Sequence, residues 1–242
     1  LVPTGPEVER LRRTKDPDQV ALIERAQGFA ALAFEPAVLN GGLREGVTER
    51  HLALELENAM VEAGAEDRAF DSIVAFADHA AEPHHHLTDR ELARGDMVKL
   101  DFGARSDGYH SDITRTVAFG EPDPRMREIR DLVAAAQRAG IDAVRPGVST
   151  VEVDAAARSV IAEAGHGDAF PHGLGHGVGL EIHETPFLRW DGGEDLVEGM
   201  VVTIEPGVYI PGLGGVRIED MVEVTADGRR EIPRSTKELI VL

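Results

Sequence analysis

Asp101 and Asp112 stand on two strand-like runs within MVKLDFGARSDGYHSDITRT, residues 97–116, with a glycine-containing turn between them. Side-chain alternation puts Lys99, Asp101 and Gly103 on one face of the first run, and Val98, Leu100 and Phe102 on the other. The second run gathers His110, Asp112, Thr114 and Thr116 on one face. A hairpin closed through residues 105–109 would turn both carboxylates into one space. Two like charges there are costly unless a cation lies between them. The pair suggests a hard or borderline divalent metal, against the plain alternative of two solvated acids on an exposed strand face.

Denser chemistry follows in HGLGHGVGLEIHE, residues 172–184, where His172, His176 and His183 are interleaved with four glycines. Imidazole is a common metal ligand, and glycine lets the backbone approach a ligand closely. His172 and His176 have the spacing of a helical zinc pair, but Gly173, Gly175 and Gly177 disfavour a helix. Loop or strand presentation is expected instead. Two apolar runs, residues 200–209 and 216–224, read as single strands and carry Glu205 and Glu219. Thr203 shares a face with Glu205, and Arg217 with Glu219. An unpaired ionised acid inside an apolar strand is expensive. One such acid could pair with a neighbouring arginine; two, beside two aspartates and a histidine cluster, point to a shared metal.

The elements that must position these groups can be read in chain order. Residues 1–15 are basic and proline-marked and read as a linker or arm. Asp16-Pro17 starts a helix as cap and first residue, which Pro36 should kink or end before Gly41-Gly42. Thr48 caps a second helix, with Leu52, Leu54, Leu56 and Met60 as core and Gly64 closing it. Residues 69–76 are a strand candidate. The pattern returns about one hundred residues later. Gly147-Val148-Ser149 opens a helix ending at Glu163-Ala164-Gly165, as Gly46-Val47-Thr48 opens one ending at Glu62-Ala63-Gly64. We read an internal duplication, helix–helix–strands twice over, which predicts an α+β fold of two pseudo-twofold-related halves with the site between them.

Composition sets the outer bounds. A chain of 242 residues can hold one large domain. A formal charge of −19 argues against nucleic-acid binding. With no cysteine there are no disulfides, thiolate zinc sites or cysteine nucleophile. No apolar run reaches membrane-span length and no signal peptide is visible, so a cytoplasmic location away from membranes is the default. The start at Leu1 points to a piece of something longer.

Together these residues carry a specific likeness. The chain resembles the methionine aminopeptidase/prolidase/creatinase superfamily with its pita-bread fold, and within it the Xaa-Pro aminopeptidases and dipeptidases. The matching runs are Pro83-His84 with Thr88-Asp89-Arg90, Leu100-Asp101-Phe102-Gly103, Ser111 to Thr116, His172 to Glu184, Thr203 to Gly207, Gly214 to Asp220, and a final Lys237-Glu238-Leu239 strand. They span residues 16 to 242, which would be the catalytic metallopeptidase domain.

The resemblance implies a dinuclear centre. Asp101 would hold one metal, Asp112 and Glu219 would bridge, and His176 and Glu205 would serve mainly the other. The ions would be manganese, or alternatively cobalt or zinc. A water or hydroxide between them would attack the Xaa-Pro peptide carbonyl, with Glu205 shuttling the proton. His84 and His183 would contact substrate and stabilise the tetrahedral intermediate. His172, near the proline pocket, and Arg217 would bind substrate, Arg217 also fixing the Glu219 carboxylate. In the His84-His85-His86 run only His84 fits the motif; His85 and His86 are expected to be solvated. Trp190 and the tyrosines are assigned to packing.

Two departures qualify the likeness. Xaa-Pro peptidases generally carry an additional amino-terminal domain, of which residues 1–15 would be the trailing connection. It contributes to dimer contacts in the family, and a homodimer is compatible with the resemblance. Prolidases also often place an arginine four positions after His183, where it holds the free carboxylate of a dipeptide. Here that position is Phe187 and the nearest arginine is Arg189. The expectation is therefore an aminopeptidase acting on peptides with proline second, with a dipeptidase as alternative. A methionine-aminopeptidase-type hydrolase and a metal-free or creatinase-like binding module remain more distant readings.

Overall fold

The computed structural model describes residues 5–232 and 236–242, and its chain runs helix, helix, strands twice over. In the first half α2 (Pro17–Phe34) and α3 (Glu49–Glu62) follow a short α1 (Glu7–Arg12). Asp16 caps α2 in a reciprocal capping box with Gln19, and Pro17 occupies the first helical position. The helix gives way to a wider turn, Glu35–Leu39, that contains Pro36. Thr48 caps α3, whose Leu52, Leu56 and Met60 are buried. Leu54, expected in the core, is 53% exposed because it lies on the opposite face of the helix.

The first-half strands are β1 (Asp67–Arg68), β2 (Ile73–Phe76), β3 (Met97–Phe102), β4 (Ala104–Ser106), β5 (Tyr109–His110) and β6 (Ile113–Ala118). Only the last part of residues 69–76 is a strand. β2, β3 and β6 form one antiparallel sheet, while β1, β4 and β5 form a small one at the hairpin tip. The second half has α4 (Pro124–Ala143) and α5 (Thr150–Glu163), then β7 (Gly175–Gly177), β8 (Glu184–Leu188), β9 (Val201–Ile204), β10 (Gly207–Ile210), β11 (Gly214–Arg217), β12 (Asp220–Thr225) and β13 (Gly228–Ile232). Its main sheet runs β13-β12-β9-β7-β8, so β7-β9-β12 repeats the order β2-β3-β6.

The repeat extends to single hydrogen bonds. Gly46 N–H donates to Leu92 O and Leu92 N–H to Val47 O; Gly147 donates to Leu196 O and Leu196 to Val148 O in the same way. Each half has its own apolar core under its sheet. In one, Phe34, Leu52, Leu56, Val74, Leu100 and Val117 cluster; in the other, Ile129, Val133, Val153, Ile161, Val202 and Val222 do so. A smaller cluster joins Val20 and Ile23 of α2 to Val201 and Met221 of the second sheet. This is the α+β pita-bread arrangement, with a seam between the halves.

Residues 1–4 of the segment read as an arm lie outside the described residues. Beyond them α1 forms, and the buried Lys15 pairs with Glu184 at 2.5 Å. Among the described residues no helix is long and apolar enough to cross a membrane.

Candidate metal centre

The two runs read as single strands each break at their acid. β9 ends at Ile204, and Glu205-Pro206 carries the chain to β10, which pairs with β11 and not with the main sheet. Proline has no N–H to extend the ladder, so the corner falls there. On the return path Ile218-Glu219 separates β11 from β12, and the Glu219 N–H donates to Thr114 O of β6 at 3.2 Å. Both glutamates thus leave the apolar sheet and face the seam. Asp101 and Asp112 come from the other side: β3 and β6 pair with Asp101 opposite Thr114, and Asp112 immediately precedes β6.

All nine residues assigned to the site line one cavity of about 330 Å³: His84, Asp101, Asp112, His172, His176, His183, Glu205, Arg217 and Glu219. His176, on β7, donates its Nδ1–H to Gly177 O at 3.0 Å. That turns Nε2 toward the acids, 3.4 Å from Glu205 Oε1 and 3.5 Å from Asp112 Oδ2. Ligand atoms of Asp112, His176 and Glu219 all lie within 4.8 Å of one another. The glycines beside His176 are required by close approach. A Cβ on Gly175 would lie 2.0 Å from Thr203 O, and one on Gly177 2.5 Å from Thr185 O.

Charge in this pocket is unbalanced: four carboxylates face two guanidiniums, Arg217 among them and Arg189 in the wall. Burial pushes the Asp112 carboxyl well up, and repulsion from Glu219, Asp101 and Glu205 adds to it. Burial likewise raises Glu219, reinforced by Glu205 and Asp101. Asp101 is raised by burial against the pull of Arg217. For Glu205 burial is outweighed by contact with His176, aided by His172 and Arg217, which hold it at about 2. Asp101 Oδ1 and Glu219 Oε1 are buried without a hydrogen-bond partner among the described residues. Crowded carboxylates, two orphaned oxygens and an imidazole nitrogen turned toward them make a donor set that fits a divalent metal.

Arg217 is fully buried, but its partner is not the one expected. It pairs with Asp101, while its Nε donates to Thr114 Oγ1 at 3.0 Å and Nη1 to Pro83 O at 3.1 Å. Arg217 meets Glu219 only through Thr114, whose Oγ1 accepts from Arg217 Nε and donates to Glu219 Oε2 at 2.7 Å. Tyr209, assigned only to packing, receives Arg217 Nη1 at 2.8 Å and meets His172 Nε2 at 2.9 Å. His172 Nδ1 donates to Gly173 O, so its Nε2 accepts from the Tyr209 hydroxyl. Burial lowers His172 to about 4 and raises Tyr209 to about 12, keeping both neutral. His183 is lowered by burial and by His176, with the two rings 4.3 Å apart.

The histidine run also differs from expectation. His84 and His86 are exposed, but His85 is buried and hydrogen-bonded to Glu49 and Glu82. Thr114 was readable as a site residue from its shared face with Asp112; Tyr209 had no such signal. Arg189, treated above as out of reach, lines the cavity beside Phe187.

The family model for metallopeptidase family M24 matches residues 21–226. The chain is 44% identical over 233 residues to the Xaa-Pro dipeptidase of Pyrococcus furiosus, covering 96% of this chain and 66% of that protein. Among solved structures it superposes on an Xaa-Pro dipeptidase from Bacillus anthracis with a TM-score of 0.97 at 44% identity, covering 100% of this chain and 67% of that one. It superposes on an X-Pro aminopeptidase from Thermotoga maritima with a TM-score of 0.95 at 37% identity, covering 98% and 66%. The chain spans about two thirds of the length of these relatives. A family match over most of the chain, high identity and near-complete superposition carry one conclusion: this chain belongs to metallopeptidase family M24.

Proposed function

We propose that this chain is a metal-dependent peptidase that hydrolyses the bond before a proline in second position. Asp101, Asp112, His176, Glu205 and Glu219 would hold two divalent ions, with manganese favoured over cobalt or zinc. The observation that carries the reading is the convergence of these five side chains, two with orphaned buried oxygens, on one cavity. When bound, the metal supplies Lewis-acid activation of water and of the scissile carbonyl.

The protein's own residues do the rest. Glu205, kept ionised at about 2, takes the proton that the attacking water gives up and passes it to the leaving proline nitrogen. His84 and His183 face the same space, where an imidazole N–H donates to the oxygen that becomes negative in the tetrahedral intermediate. Neutral His172, oriented by Tyr209, and Arg217 shape the substrate side of the pocket.

Arg189 favours acceptance of dipeptides. It lies in the cavity wall and pairs there with the exposed Asp191 at 2.7 Å. A dipeptide's terminal carboxylate would have a cation to meet there, which weighs against the preference for longer peptides expected from Phe187. The test is turnover of Xaa-Pro dipeptides against Xaa-Pro tripeptides, with and without manganese, in the native chain and in Arg189→Gln. The variant should raise KM for dipeptides on the order of tenfold, the worth of a charged hydrogen bond, and leave tripeptides unchanged. Manganese-loaded protein that cuts Met-Ala-type peptides but no Xaa-Pro peptide would overturn the main reading.

A further inference from the structure

Glu49 opens α3 with its side chain fully buried, on the far side of the loop that carries His84. Its carboxylate accepts five hydrogen bonds. Oε1 receives Phe76 N–H at 3.0 Å and His79 Nδ1 at 2.9 Å. Oε2 receives His85 Nε2 at 2.8 Å, Thr88 N–H at 3.1 Å and Thr88 Oγ1 at 2.6 Å. One side chain therefore ties down the segment from the end of β2 to Thr88, and His84 lies inside it. The other ring nitrogen of His85 meets Glu82 at 3.1 Å, which fixes the residue next to His84 from both sides.

The same segment is held from the cavity side. Lys99 is fully buried and donates to Ala80 O at 3.1 Å, Glu82 O at 2.5 Å and Pro83 O at 3.4 Å, while Arg217 donates to Pro83 O at 3.1 Å. The backbone before His84 is thus clamped by the Lys99 amine and the Arg217 guanidinium, and the backbone after it by Glu49. The His84 imidazole is exposed at the cavity rim, so its direction depends on the backbone that carries it. Glu49 with His79 and His85 also has the composition of a metal site. Its oxygens, however, are filled by donors at hydrogen-bond distances, two of them backbone N–H groups that a metal could not replace.

We propose that Glu49, through His85 and Thr88, is a positioning residue that aims His84 at the substrate. The proposal rests on His84 being a substrate contact. Its test is a double-mutant cycle with Glu49→Gln and His84→Ala in metal-loaded protein. Glu49→Gln should lower kcat/KM on the order of tenfold in the native background, as misplacement of a reacting group does. In the His84→Ala background it should lower it less than about twofold, because there is nothing left to aim. Bound metal should be unchanged throughout, and amide exchange over residues 84–88 should rise in Glu49→Gln. His85→Asn should reproduce both effects, and serves alone if Glu49→Gln does not fold.

Equal losses in the two backgrounds, or none in either, would overturn the proposal. So would loss in Glu49→Gln of a metal equivalent that the native protein holds, since the cluster would then be a metal site. Native turnover in His84→Ala would sink the assignment of His84 itself, and the aiming of it by Glu49 along with it.

Discussion

His176 Nε2 lies 3.5 Å from Asp112 Oδ2, although one residue comes from the second half of the chain and the other from the first. His176 also meets Glu205 of its own half at 3.4 Å, and Asp112 is pushed towards protonation by burial and by Glu219, Asp101 and Glu205. An asparagine at 112 keeps the shape but gives up the anionic group proposed to hold the ions. Asp112→Asn is expected to abolish turnover and lower bound metal, measured by elemental analysis after dialysis. Full metal content with normal turnover would refute its role.

Arg217 and Asp101 form a buried pair, with Asp101 Oδ1 still unpartnered among the described residues. Removing the cation strands the acid. Arg217→Met should therefore destabilise chelator-treated protein by about 3–5 kcal/mol in denaturant unfolding. A change within experimental error would mean that Asp101 is simply protonated when alone.

Gly175 leaves no room for a methyl group, since its Cβ would lie 2.0 Å from Thr203 O, whereas Gly193 has nothing within 4 Å. Gly175→Ala should cost about 1–3 kcal/mol and displace the adjacent His176, weakening metal binding. Gly193→Ala should fall within about 0.5 kcal/mol of the native protein. Thermal melts and metal titrations of the two variants check both. Equal behaviour would contradict the packing described.

Glu49 supplies a pH signature. Burial works to raise its carboxyl, but bonds from Thr88, Phe76 N–H, His85 and His79 outweigh it and hold it below the ordinary 4.5. A carboxyl depressed in the folded state contributes stability above its unfolded value, and that stability is lost as pH falls through the folded value. The stability gap between native protein and Glu49→Gln should be widest above pH 4.5 and close on acidification. A gap constant with pH would show that Glu49 is not ionised in the fold.

Much of this was legible in the sequence, for identifiable reasons. The caps at Asp16 and Thr48 and the repeated Gly-Val-Thr/Ser openings report local backbone geometry, which short motifs encode directly. Asp101, Asp112, Glu205 and Glu219 stood out as candidates because acids inside apolar strands have few inexpensive alternatives to a shared cation, whereas His84 was picked out only by the family likeness. The breaks at Glu205-Pro206 and Ile218-Glu219 were not, because alternation looks the same whether a strand continues or changes sheet. Leu54 was assigned to the core on hydrophobicity although it points outward, since helix phase needs a partner to fix it. His85 was lost because its partner, Glu49, is far along the chain, and adjacency to two exposed histidines hid it.

The placement of the five acidic and imidazole groups has a mechanical side. Asp101 and Asp112 rise from one apolar core, and His176, Glu205 and Glu219 from the other. An ion gripped by both sets is a rivet driven through the joint between two bodies, tightening as its free concentration rises. Prising the halves apart would then cost the binding energy of the cargo as well as the packing, so the chemistry that cuts peptides would also keep the scissors from falling open.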